Sequence, residues 1–154
     1  SVVVLEPGGK AVPFVTGLDD PKGIAAFQRW LYVTDKTKVL RIDATAKEPK
    51  AEVFAAADKF PVPPIFLNDV AVDPETGVVY VSDSGKDGAG GAVFRLTPPF
   101  PPKKGKDAPP GTLKIDVLVD ATKIPGLNKP NGIINDGSSF LLVADMGTGT
   151  LYRV

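Results

Sequence analysis

The chain has 154 residues, 43% hydrophobic and 23% charged, an ordinary globular composition with enough length for one sizeable core. Its 18 basic and 18 acidic residues cancel, which predicts no broad basic surface for nucleic acid or anionic lipid, and no apolar run approaches the roughly twenty residues that span a bilayer. With neither histidine nor cysteine, Ser-His-Asp and Cys-His triads, histidine- or thiolate-ligated zinc and disulfides are excluded from this chain. The expectation is a soluble protein with no nucleic-acid and no membrane partner, and secreted, periplasmic and cytoplasmic locations all stay open.

In chain order, Val2-Val3-Val4-Leu5 and Ala11-Val12-Pro13-Phe14-Val15, joined by the Pro7-Gly8-Gly9 turn, predict two strands within 1–17. A first set of four follows within 21–57: Pro21 to Phe27, Trp30 to Asp35, Lys38 to Asp43 and Ala51 to Phe54. A second set lies within 65–120: Leu67 to Asp73, Val78 to Asp83, Gly91 to Leu96 and Leu113 to Val119. A third, within 129–154, has three members: Pro130 to Asn135, Phe140 to Asp145 and Thr150 to Val154. Each segment is rich in Val, Ile, Leu, Phe and Tyr and is bounded by turn chemistry such as Asp73-Pro74-Glu75-Thr76-Gly77 and Asn135-Asp136-Gly137-Ser138. The best helical candidate, Ala55 to Phe60, is one turn at most before Pro61, Pro63 and Pro64 end it.

A four-strand unit repeated at roughly 40 to 60 residues is the signature of a β-propeller. The expected fold class is therefore all-β, a single partial propeller domain over 1–154 with four-stranded antiparallel blades, about three of a probable six. In that reading 1–17 holds the outer strands of a preceding blade, 21–57 and 65–120 are full blades, and 129–154 is a third blade lacking its last strand. A ring needs at least about four blades. Self-association through open strand edges, or a missing chain segment, is expected to complete it, and the segment is favoured because both ends fall inside a blade. Thr97 to Gly111, with six prolines around Lys103, Lys104 and Lys106, predicts a solvated loop insertion. Gly85-Lys86 lacks the Ser or Thr of a phosphate-binding loop, so Gly85 to Gly91 reads as a hairpin connection.

Asn68-Asp69-Val70-Ala71-Val72-Asp73 with Val79-Tyr80-Val81-Ser82-Asp83, and Pro130-Asn131-Gly132-Ile133 with Leu142-Val143-Ala144-Asp145, resemble the family of SMP-30, gluconolactonase and luciferin-regenerating enzyme. That family is related to the NHL-repeat and strictosidine-synthase-like propellers, and the resemblance covers most of the chain. It implies a calcium ion, or another divalent cation, in a central channel and a lactonase-type hydrolase acting on a small lactone or sugar-acid-like substrate. It further implies Asn68 and Asn131 as metal ligands, in a site completed by a Glu and an Asp with no counterpart in this chain, so the catalytic acid is expected outside it. Amide oxygens suit a hard, oxygen-seeking cation such as calcium. On the residues alone Asn68 and Asn131 also read as turn residues bonded to nearby backbone. Lys22 occupies the matching place in the first repeat, where an ammonium facing the channel either repels a metal or neutralises an anionic substrate, or is simply an exposed Lys in a Pro-Lys-Gly turn. Asp35, Asp83 and Asp145 recur in every repeat, which marks them as turn-fixing groups. A non-catalytic propeller that binds ligands or proteins is the competing reading.

Overall fold

The computed structural model describes residues 1–99, 112–137 and 140–154. The proline- and lysine-rich insertion expected over Thr97 to Gly111 lies outside the described residues from position 100 onward, as does Ser138 of the Asn135 turn.

Among the described residues, thirteen strands form four antiparallel sheets. A ribbon pairs β1 (Val2–Leu5) with β2 (Ala11–Val15). The first sheet runs β3 (Pro21–Phe27), β4 (Trp30–Asp35), β5 (Lys38–Asp43), β6 (Ala51–Ala55) in spatial order, and the second runs β7 (Leu67–Val72), β8 (Val79–Asp83), β9 (Ala92–Thr97), β10 (Lys114–Asp120). The third holds β11 (Pro130–Asn135), β12 (Leu141–Asp145) and β13 (Thr150–Arg153). Every connection within a sheet joins neighbours, because antiparallel strands need only a short turn. Where β3 meets β4 and β4 meets β5, two-residue turns place Gln28 and Lys36 at positive φ, 53° and 64°. The expected helical turn is a 3-10 turn over Ala57–Lys59.

Side-chain alternation along each strand sends neighbours to opposite faces, and here both faces of the sheets are used. In β9, Ala92, Phe94 and Leu96 face the first sheet, joining Tyr32, Val39, Phe60, Val79 and Val81, while Val93 faces the third with Val119, Ile133 and Val143. A third cluster of Val15, Val33, Leu40 and Ile42 seals the ribbon onto the first sheet. Three layers of apolar contact thus separate four stacked sheets, and each fully buried Val, Leu or Phe contributes about 1.5 to 3 kcal/mol. The first strands of consecutive sheets lie side by side, β3 against β7 and β7 against β11. That row of first strands is where the candidate residues sit.

Candidate functional site

Lys22, Asn68 and Asn131 each stand second in the first strand of a sheet. In all three sheets the pairing slips at this point, between Pro21 and Ile24, Leu67 and Val70, and Pro130 and Ile133. A bulge leaves residues off the ladder and re-aims their side chains. The freed backbone groups still require partners, and buried hydroxyls supply them. Thr34 Oγ1 accepts from the Gly23 N–H at 2.9 Å and donates to the Asn68 carbonyl at 2.6 Å. Ser82 Oγ accepts from the Asp69 N–H at 3.0 Å and donates to the Asn131 carbonyl at 2.5 Å. Each hydroxyl fills the bulge of its own sheet and holds the candidate asparagine of the next. In the third sheet the corresponding residue is Ala144, which carries no hydroxyl.

Asp69 adds a second stitch. Its Oδ1 accepts from the Val70 N–H at 2.9 Å and its Oδ2 from the Ile133 N–H at 3.0 Å, so the carboxylate bridges β7 to β11. Both oxygens have structural partners. The bridge also requires Gly23 on the other side, where a Cβ would lie 2.4 Å from Asp69 Oδ1.

The recurring aspartates hold the connections that lead into each first strand. Asp35 accepts from the Asp19 and Asp20 N–H groups, and Asp83 from those of Ile65, Phe66 and Gly85. Asp145 accepts from Asn128, Lys129, Gly147 and Thr148. Burial pushes the Asp145 carboxyl up, and these four N–H groups outweigh it and hold the group below the ordinary aspartate value. The Thr122 hydroxyl, with backbone N–H groups, depresses Asp120 in the same way. A carboxyl lowered in the folded state contributes stability above its unfolded value and loses it as pH falls through the folded one. With no histidine or cysteine, the chain has no side-chain type whose ordinary value lies between about pH 5 and 8. The melting temperature is therefore expected to be flat from about pH 6 to 8 and to fall steeply below about pH 4. Calorimetric melts across that range check it, and a transition centred near neutral pH would contradict it.

The three candidate side chains differ in their surroundings. The half-buried Asn68 amide has no hydrogen-bond partner among the described residues, and Asn131 Nδ2 makes only a weak 3.6 Å contact with Met146 Sδ. Both amide oxygens are therefore free to take a ligand. Asn131, Gly132, Ala144, Met146 and Leu151 line an open groove of about 500 Å³. Lys22 differs: its ammonium lies 2.5 Å from Asp20 Oδ1 and 4.8 Å from the centre of the Phe66 ring. Strand packing brings the backbones at Lys22, Asn68 and Asn131 to the same end of the row, while the Lys22 charge is spent on its own loop.

Two amide oxygens are the right donor type for calcium but bring no charge, and calcium affinity depends on ligand charge count. Among the described residues no three Asp, Glu, His or Cys side chains converge as a metal site. The hydroxyl stitches were not read from the sequence; their only trace there is a hydroxyl residue before the recurring aspartate, in Thr34-Asp35 and Ser82-Asp83, and for Asp69 an acid standing where the other repeats have glycine. Compared with known protein families and with curated proteins, the sequence matches none.

Proposed function

We propose that the chain is a portion of a β-propeller of the SMP-30 and gluconolactonase type, whose sheets are blades and whose row of first strands lines a central channel. The observation that carries this reading is the matched position of Asn68 and Asn131 at equivalent bulges on adjacent first strands, each carbonyl fixed by a buried hydroxyl. In this reading the two amide oxygens hold a calcium ion together with acidic ligands from outside the chain. A bound cation supplies Lewis-acid polarisation of an ester carbonyl. The reaction is addition of water to the carbonyl of a small lactone with cleavage of the ring C–O bond, giving a hydroxy acid. The role of this chain is to orient: Thr34 and Ser82 fix the backbones from which the two amides project, so the oxygens need little reorganisation on binding.

Calorimetric titration with calcium tests the metal arm of this reading. The chain is expected to bind with a dissociation constant in the range of about 1 mM, the weak class for oxygen sites with few charges. Asn131→Asp adds a carboxylate and is expected to tighten binding about tenfold, while Asn131→Leu abolishes it. No calcium-dependent heat in either the natural chain or Asn131→Asp would overturn the metal site.

A non-catalytic binding propeller is the second reading, and the Lys22–Asp20 ion pair favours it, because a cation held by its own loop is not poised for an anionic substrate. Hydrolysis of a simple δ-lactone followed by acid release separates the two, with the enzyme reading requiring calcium-dependent turnover in the assembled ring.

A further inference from the structure

Of the asparagines Asn68, Asn128, Asn131 and Asn135, only Asn131 is followed by glycine. Asn68 stands at the same place in the second sheet and is followed by Asp69. The peptide group that joins each of these two asparagines to its successor is held differently. The Asn68–Asp69 peptide is clamped at both ends: its carbonyl accepts from Thr34 Oγ1 at 2.6 Å, and its N–H donates to Ser82 Oγ at 3.0 Å. The Asn131–Gly132 peptide is clamped at one. Its carbonyl accepts from Ser82 Oγ, but the residue in the place of Thr34 and Ser82 is Ala144, and among the described residues no side chain accepts from the Gly132 N–H. The register slip between Pro130 and Ile133 leaves both residues outside the paired ladder. A Cβ at Gly132 would meet only Ala144 Cβ at 3.8 Å, and both Asn131 and Gly132 line the open groove described above.

We propose that Asn131 is a site of spontaneous deamidation, left open by the missing hydroxyl at Ala144. The Gly132 nitrogen attacks Asn131 Cγ, a new N–C bond forms, and the side-chain nitrogen leaves as ammonia with the proton that Gly132 gives up. The cyclic imide then takes up one water and opens at either carbonyl, giving aspartate or isoaspartate. The net change consumes one amide and one water and releases one carboxylic acid and one ammonia. Glycine favours the ring closure because it has no Cβ to obstruct it. The Ser82 hydrogen bond polarises the peptide through its carbonyl and makes the N–H easier to deprotonate. Asn68 is protected by contrast, because Ser82 holds the Asp69 N–H and the Asp69 carboxylate is itself tied to Val70 and Ile133. The functional consequence rests on the calcium reading above: either product carries a negative charge where the amide was neutral, and charge is what two amide ligands lack.

The full chain is held at mildly alkaline pH and followed by peptide mass mapping, which reads the gain of about one mass unit and the residue that carries it. Asn131 is expected to convert about tenfold faster than Asn68, Asn128 or Asn135. Ala144→Ser supplies an acceptor for the Gly132 N–H and is expected to slow conversion about threefold. Gly132→Ala is expected to slow it about tenfold or more. Far-ultraviolet dichroism checks that each variant keeps the native strands. Because the readout is mass and needs no calcium, a chain that converts at Asn131 without any calcium-dependent heat upholds the modification site while the metal site falls. Conversion of Asn131 no faster than that of Asn68, or a rate unchanged in Ala144→Ser, would overturn the proposal.

Discussion

Phe94→Ala is expected to lower the stability of the chain by about 4 kcal/mol. Phe94 is 1% exposed and lies at the centre of the layer between the first and second sheets, edge-on to Phe60 with ring centres 4.9 Å apart. Its neighbours Tyr32, Val79, Val81 and Leu96 belong to three different strands that are already paired, so none can move far into the space left behind. A cavity that cannot collapse costs both the lost transfer energy and the lost contacts. At roughly 2 to 4 °C per kcal/mol for a chain of this size, the melting temperature should drop by roughly 10 °C or more. Phe94→Leu, which keeps most of the volume, should cost about 1.5 kcal/mol. Equal losses for the two variants in urea unfolding would mean that this layer is not packed as described.

The second large effect is expected at Gly23, and it comes with a built-in control. A Cβ there would lie 2.4 Å from Asp69 Oδ1, 2.7 Å from Asp69 Cα and 2.9 Å from the Val70 nitrogen. Two of those atoms are backbone, so Gly23→Ala cannot be accommodated by turning the Asp69 side chain and must push the first sheet away from the second. Overpacking of this kind costs about 3 kcal/mol. Asp69→Ala in the same chain should recover only part of the loss, because the backbone clash remains. Gly132 stands at the matching place in the third sheet, where a Cβ would meet only Ala144 Cβ at 3.8 Å, and Gly132→Ala should be close to neutral. Urea unfolding of the two glycine variants side by side measures the contrast. If Gly132→Ala costs as much as Gly23→Ala, the penalty belongs to the glycine backbone and not to the neighbouring sheet.

The strands were legible in the sequence because their signals are local. Val39-Leu40 and Val93-Phe94 alternate between two apolar layers, and turns such as Asp73 to Gly77 carry their own chemistry, with the Asp73 carboxylate accepting from the Glu75 and Thr76 N–H groups. Small boundary differences also have local causes. Val78 was expected to open a strand, but its carbonyl accepts from the Asp73 N–H, which keeps it in the turn and starts β8 at Val79. The bulges at Lys22, Asn68 and Asn131 were not legible in this way. A slip in register is decided by what lies across the sheet, and at Asn68 that means Thr34 from the preceding sheet and Asp69 reaching to Ile133 in the following one. The positions of the candidate residues could be read from the repeat; the groups that fix them could not.

The hydroxyl stitches have a direction. Thr34 and Ser82 each take a hydrogen bond from their own sheet and give their short one, 2.6 and 2.5 Å, to the sheet that follows; the Gly23 carbonyl of its own sheet lies farther from Thr34 Oγ1, at 3.5 Å. A unit built this way carries its fastener on one side and the matching eyelet on the other. A duplicated copy of the second sheet spliced in before the third would find its Ser82 facing the Asn131 carbonyl and its Asn68 carbonyl facing the Ser82 of the original. Growth by tandem copying in the head-to-tail sense would need no new contact chemistry at these bulges, whereas an inverted unit would leave the neighbouring carbonyl without the hydroxyl that donates to it. The fold's capacity to lengthen during evolution, or in an engineer's hands, is thus set in part by the orientation of two buried side chains.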